Sequence, residues 1–148
     1  MNRDFKDLLS EFSEKGVEFL IIGAHALAAH GHVRATKDLD VWVRAAPANA
    51  ARIIEALRSF GAPIGDVTAA DFSAPGITFQ IGVAPVRIDI ITEIDGVEFD
   101  GAWTRRLLKT IDGLAVGVIS FDDLIANKQA SGRLQDLADV EALQKLHT

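Results

Sequence analysis

The spacing of apolar side chains predicts most of the elements of this chain. Phe5, Leu8, Leu9 and Phe12 fall at i, i+3, i+4 and i+7, which predicts an amphipathic helix over residues 4–15, ended by Gly16. Val17 to Ile22 is β-branched and apolar, the pattern of a buried strand, and Gly23 breaks it. Ala24 to His30 reads as a small-residue helix stopped by Gly31. Leu39, Val41 and Val43 then alternate with Asp38, Asp40 and Trp42, a strand with two unlike faces. Pro47 opens a further helix whose stripe is Ile53, Ile54, Leu57 and Phe60, and Gly61 closes it.

Residues 61–75 carry no periodicity beyond one helical turn near Asp71-Phe72. Ile77–Val83 and Val86–Thr92 read as strands joined by a short Pro-containing turn, hence antiparallel neighbours. Arg106–Thr110 and Leu114–Ile119 form a second expected hairpin around Asp112-Gly113. Ser120 with Asp123 three residues on resembles a capping box that opens a helix through Ala130. A last helix, about Arg133 to Leu146, shows Leu134, Leu137, Val140, Leu143 and Leu146 as its apolar side. The order predicts an α/β (α+β) fold: a small mixed, partly antiparallel sheet flanked by helices.

At 148 residues the chain has the length of one domain, taken here as 1–148. With 49% hydrophobic and 24% charged residues it is neither disordered nor collagen-like. Zero Cys excludes disulfides, thiolate metal sites and cysteine nucleophiles. The opening Met1-Asn2-Arg3-Asp4-Phe5-Lys6-Asp7 is too acidic for a signal peptide, and no apolar run is long enough to cross a membrane, so a cytoplasmic protein is expected. Fifteen Lys+Arg against 21 Asp+Glu give net −6, which argues against a protein that merely coats RNA or DNA. An enzyme that grips a nucleic-acid end through a small basic patch is compatible with it.

Candidate chemistry starts at Asp38-Leu39-Asp40. The period of two puts both carboxylates on one face of the strand while Leu39 and Val41 face the core. Two adjacent carboxylates repel, and a divalent cation between them reverses the sign. Taken alone, the pair reads better as solvated strand-edge residues. Asp89 changes that balance, because Val86-Arg87-Ile88-Asp89-Ile90-Ile91 is an otherwise apolar strand and acids are depleted in strands. Three convergent carboxylates suit a two-metal site for displacement at phosphorus. The competing reading is an ion pair of Asp89 with Arg87 or another Arg. Gly23-Ala24 stands where a strand ends and a helix begins, where free backbone N–H groups can cradle phosphates.

These residues resemble a known family. A strand, Gly23-Ala24 and a helix, then Arg34-x-Thr36-x-Asp38-x-Asp40, then a lone Asp89 in a later strand, are similar to the DNA polymerase β nucleotidyltransferase superfamily. Its pattern is an apolar residue and Gly followed by Gly or Ser, two acids one residue apart, and a later acid between apolar residues. Lys128, Arg133, Asp136 and Asp139 match the downstream segment of small prokaryotic members related to the AbiEii-type nucleotidyltransferase toxins, so the likeness runs from about Phe19 to Val140. Ala24 departs from the pattern, lacking a Ser hydroxyl and the freedom of Gly.

The resemblance implies transfer of a nucleotidyl group from an NTP to a hydroxyl with Mg²⁺ or Mn²⁺. It implies Asp38, Asp40 and Asp89 as metal ligands and catalytic residues. Gly23, Ala24, Arg34, Thr36, Lys128, Arg133 and Asp136 become the nucleotide-binding candidates. The implied acceptor is a tRNA end, a protein hydroxyl or a small molecule such as an aminoglycoside, and an antitoxin partner is implied with the toxin relatives. The alternatives are a catalytically inert binding or regulatory module, for which Ala24 is the motive, and a structural partner subunit.

Other positions carry less. His25, His30 and His32 fit no standard zinc spacing and read as packed or polar structural residues. Trp42 shares the Asp face of its strand, where it would either stack on a base or sugar or pack in the core. Phe99 and Trp103 are expected to cover the sheet, and Ser120 to cap a helix.

Overall fold

The structure, a computed structural model, describes residues 1–33, 38–83 and 86–147. Its elements run α1 (Arg3–Glu14), β1 (Phe19–Ile22), α2 (Gly23–Ala29), β2 (Asp38–Val43), α3 (Pro47–Phe60), α4 (Ala69–Phe72), β3 (Thr78–Val83), β4 (Val86–Ile91), α5 (Phe99–Arg105), β5 (Leu107–Ile111), β6 (Leu114–Val118), α6 (Phe121–Ser131) and α7 (Leu134–Leu146). The six strands form one sheet in the order β3-β4-β2-β1-β6-β5. β2 runs parallel to β4 and β1 to β6, while β1–β2, β3–β4 and β5–β6 are antiparallel. This is the mixed α/β arrangement that the sequence pattern predicts.

The predicted periodicities explain the burial. Phe5, Leu8, Leu9 and Phe12 of α1 join Ile53, Ile54 and Leu57 of α3 in one apolar core with Leu39, Val41, Ile88 and Ile90 of the central strands. The Asp112-Gly113 turn has φ of 54° and 82° at its two residues, the two-residue geometry that matches the twist of a hairpin. Ser120 caps α6 as expected, its hydroxyl accepting the Asp123 N–H at 3.2 Å. The Asp123 carboxylate turns instead to Arg105, with two contacts of 2.9 Å.

Two expectations need correction. Helix α5 was not predicted: its seven residues bury only Ala102, and Gly101 in its middle weakens the helical signal. In α7 only Val140 and Leu143 of the expected stripe are buried. Leu134 is 87% exposed, Leu137 and Leu146 are exposed too, and the buried face is Asp136, Asp139, Val140 and Leu143. Those four positions do keep the i, i+3, i+4, i+7 spacing, but two of them are acids that a reading of apolar residues alone passes over.

Candidate active site

The two central parallel strands set the site. Their register puts Asp40 of β2 opposite Asp89 of β4, and Asp38 opposite Arg87. Because side chains alternate, Asp38, Asp40, Arg87 and Asp89 share the face opposite to Leu39, Val41, Ile88 and Ile90. On the other flank of β2, Ile22 pairs with Asp40, so β1 ends and α2 begins beside that carboxylate. Gly23 has φ of +66°, and its bare Cα lies against Asp40, where any Cβ would collide with the Oδ2 atom. The tight strand-to-helix turn and the acid are therefore fitted to each other.

Arg87 is the counter-ion of the cluster. Its guanidinium donates to Asp89 at 3.0 and 3.3 Å and to Asp38 at 3.3 Å. The ion pair weighed against a metal role for Asp89 is thus present, and it reaches Asp38 as well. Asp40 is less well compensated. Burial, and then the negative charges of Asp89 and Asp38, push its carboxyl up to about 6, against a smaller opposite pull from Arg87.

The C-terminal helices close the other side. Lys128 of α6 is 5% exposed and donates to Asp136 at 2.9 Å and to Asp139 at 3.0 Å, both on α7. Burial alone would raise the Asp136 carboxyl, but hydrogen bonds from Ser131, Lys128 and Arg133 outweigh it and hold that group down at about 2. Arg133 reaches Asp136 at 3.0 Å from an exposed position. The charge of Lys128 is matched inside the fold by two carboxylates, whereas the Arg133 head group stands in solvent.

Every described candidate converges on one cavity of about 590 Å³. Gly23, Ala24, Asp38, Asp40, Asp89, Lys128, Arg133 and Asp136 all line it. Arg34 and Thr36 lie outside the described residues. Arg87, Thr78, Glu93, Asp95, Asn127, Ser131 and Gln135 complete the lining. Of these only Arg87 carried a sequence signal, as the basic residue two before Asp89.

The donor set suits a hard divalent cation in kind: carboxylate oxygens in excess over nearby positive charge, one of them raised in pKa by burial and by its acidic neighbours. Among the described residues no three such side chains already stand as a metal cage. Arg87 spans two of the three acids, so loading an ion requires it to release them.

The remaining candidates are structural. His30 Nε2 lies 2.8 Å from the Ile119 carbonyl oxygen, tying α2 to the end of β6. Half-buried His25 has its pKa lowered by burial and by the N-terminal ammonium group, against a backbone hydrogen bond to Asp38. Trp42 is 1% exposed and packs edge-on against Phe99 with ring centroids 5.0 Å apart, so core packing, not base stacking, is what its ring does. Among the described residues no helix is long and apolar enough to cross a membrane.

Comparison with known proteins gives a family and a shared fold. A family model described as "Nucleotidyl transferase of unknown function (DUF2204)" matches residues 1–148. No curated protein sequence matches the chain. Among solved structures, a proposed nucleotidyltransferase (TM1012) from Thermotoga maritima is similar, with TM-score 0.61 and 15% identity over 97% of this chain and 90% of that one. The lincosamide antibiotic adenylyltransferase LnuA, in its lincomycin-bound structure, gives TM-score 0.64 and 12% identity over 97% of this chain and 96% of that one. The antibiotic-resistance factor ANT(2'')-Ia gives TM-score 0.61 and 12% identity over 98% of this chain and 83% of that one. At these identities the likeness establishes a shared fold.

Proposed function

The chain belongs to this nucleotidyl transferase family, and we propose that it transfers the NMP group of an NTP to a hydroxyl acceptor, with Mg²⁺ or Mn²⁺, at the cavity between β2, β4 and the C-terminal helices. The observation that carries the reading is the convergence of four separated stretches, at 23–24, 38–40, 87–89 and 128–136, on one acid-lined cavity.

Asp38 and Asp40 would hold the ion that accompanies the triphosphate. Asp89 would share an ion with them and take the proton of the acceptor hydroxyl. Bound there, a divalent cation offsets triphosphate charge and makes the hydroxyl more acidic. Gly23 keeps the backbone close to Asp40, and Ala24, whose backbone N–H remains, lines the adjoining wall. Arg133, exposed on the rim, would meet phosphate while Asp136 orients it. Lys128 braces this wall through its two ion pairs and adds positive charge behind it.

A catalytically inert module remains the second reading, favoured by one observation: Arg87 already neutralises Asp38 and Asp89. A toxin role with an antitoxin partner rests on the AbiEii-type resemblance alone. An NTP donor fits a cytoplasmic location. The deciding experiment incubates the protein with α-³²P-labelled NTPs and Mg²⁺ plus fractionated small molecules, RNA and protein. Label transferred to any fraction, and lost in Asp89→Asn, supports the enzyme. NTP-dependent stabilisation without transfer to any fraction moves the reading to the inert module.

A further inference from the structure

Strand β5 forms one edge of the sheet, and Leu107 to Thr110 lie exposed along it. It pairs with β6 across the two-residue Asp112-Gly113 turn, with Ile111 opposite Leu114. In such a hairpin the pair next to the turn exchanges both of its backbone hydrogen bonds, and the exchange recurs at every second residue. Ile111, Lys109 and Leu107 therefore bond to β6, while the N–H and C=O groups of Leu108 and Thr110 point away from it. Among the described residues no other backbone group takes them. The opposite edge differs. In β3, Gly82 stands at φ +80° and breaks the extended backbone, a device that keeps a sheet edge from pairing. β5 carries no Gly, no Pro and no such break.

The side chains of this edge complement the same strand run in the opposite direction. Leu107 is 40% exposed and Leu108 72%, so two large apolar groups stand in solvent beside the open backbone groups. Arg106 precedes the strand and Asp112 follows it, which gives the two ends opposite charge. The Arg106 guanidinium is held over the Trp103 ring at 3.9 Å, with Nη1 donating to the Trp103 carbonyl, so the basic end is fixed in place. The Asp112 carboxylate is 47% exposed, with the Met1 ammonium 4.0 Å away. An antiparallel second copy sets the basic start of one β5 beside the acidic end of the other, at both ends at once. A parallel copy would set like charge against like, and it would not close by a twofold axis.

We propose that β5 is an interface between two copies of this chain, paired antiparallel about a twofold axis at Lys109. Leu108 then faces the partner's Thr110, and each such pair exchanges both of its backbone hydrogen bonds. Leu107 lies against the partner's Ile111, and Arg106 meets the partner's Asp112. Moving the axis to Leu108 or to Thr110 loses that charge match. The chosen register also brings the two Lys109 ammonium groups side by side, a like-charge contact that weakens the pair. A strand of five residues buries an area at the low end of specific interfaces, so the dimer should form with a Kd on the order of 10 µM. The axis stands perpendicular to the sheet, so the two sheets become one and both acid-lined cavities open on the same face. Strand spacings of about 4.8 Å then set one β2 roughly 34 Å from the other. No residue of β5 lines the acid-lined cavity, so this interface stands independently of the nucleotidyl-transfer reading.

The test is sedimentation velocity of the full chain from low micromolar to submillimolar concentration, with circular dichroism to check the fold of each variant. Thr110→Pro removes an outward N–H that β6 does not use, and Leu108→Lys places a charge on the exposed edge. Each should weaken the dimer tenfold or more, because each substitution acts twice across the axis. If Thr110→Pro fails to fold, Leu108→Lys carries the comparison. Lys109→Glu tests the register. Mixed with the parent in equal amounts and read by native mass spectrometry, it should give a heterodimer about threefold above the random proportion, since an exposed like-charge pair becomes an opposite one. A monomer at every concentration leaves the edge to a strand of some other protein and overturns the proposal. A dimer indifferent to the substitutions at 108 and 110 uses another surface and overturns it too. Heterodimer at the random proportion overturns the pairing about Lys109, and assemblies that grow beyond two copies overturn the closed twofold.

Discussion

Gly23 is held to glycine by Asp40: a Cβ at position 23 would overlap Asp40 Oδ2 and stand 3.1 Å from the Asp40 Cβ and Cγ atoms. The first residue of α2 and a central acid of β2 are thus one unit, although sixteen positions separate them in sequence. The φ of +66° at Gly23 adds a second constraint, since side chains rarely adopt it.

Gly23→Ala should therefore lose stability twice over. The left-handed backbone alone costs roughly 1–2 kcal/mol, and displacement of the Asp40 carboxylate adds to it. The double variant Gly23→Ala/Asp40→Ala removes the overlap but not the backbone cost, so urea unfolding should give a loss smaller than the sum of the singles. Strict additivity would mean that the turn and the acid are independent. Gly23→Ala should also weaken Mg·NTP binding in calorimetry, because the displaced carboxylate is one proposed ligand.

Asp40 makes a signed pH prediction. Its carboxyl is raised to about 6 against the ordinary 3.8, so the folded state binds this proton more tightly than the unfolded chain does. Its contribution is most favourable below about pH 4 and is lost as pH rises through about 6. In chelator, Asp40→Asn should be the more stable protein at pH 7.5, by of order 2 kcal/mol, and the advantage should shrink at pH 4.5. Thermal unfolding of both proteins at the two pH values measures it. A variant less stable than its parent at pH 7.5 would mean that the acid is already well compensated.

How far the sequence carried this picture follows from which interactions are local. The amphipathic period of α1 and α3 and the alternation of β2 lie within one element, so they were legible. Asp38, Asp40 and Asp89 were legible because acids interrupt apolar strands, a local anomaly. The pairing of Asp40 with Asp89 needed the parallel register of β2 and β4, which no local pattern states. The buried face of α7 was misread for a related reason. Asp136 and Asp139 go inside where Lys128, on another helix, meets them, with Ser131 and Arg133 also donating to Asp136 and Gln135 to Asp139. Helix α5 was missed because seven residues with one buried side chain carry too little periodicity.

Arg87 should compete with metal. It holds Asp38 and Asp89 through three contacts of 3.0–3.3 Å, and both acids are proposed ligands. Arg87→Gln should raise Mn²⁺ affinity, read by electron paramagnetic resonance without nucleotide, by roughly fivefold, the scale of a partly exposed ion pair. Reduced affinity in the variant would instead make Arg87 a support that keeps the acids in place.

Lys128 supplies the last prediction, because its position separates a charge offered to phosphate from one consumed inside the fold. Its ammonium group is buried between Asp136 and Asp139, and Asp139 is only 1% exposed. Lys128→Met keeps the volume of the stem but leaves two carboxylates without that cation, and breaking a buried pair in this way costs about 3–5 kcal/mol. The triple variant with Asp136→Asn and Asp139→Asn removes both charges as well and should recover most of that loss in urea unfolding. The linkage has a matching sign: Asp136, held at about 2, stabilises the fold above pH 4 and ceases to do so as the pH falls towards 2. The triple variant should accordingly resist acid better than the parent. Its Mg·NTP affinity then decides what Lys128 does for the site. Near-parental affinity assigns the triphosphate to Arg133, whose single substitution to Ala should weaken binding. A loss of tenfold or more in a stably folded triple variant would show that the Lys128 charge reaches the nucleotide despite its two partners.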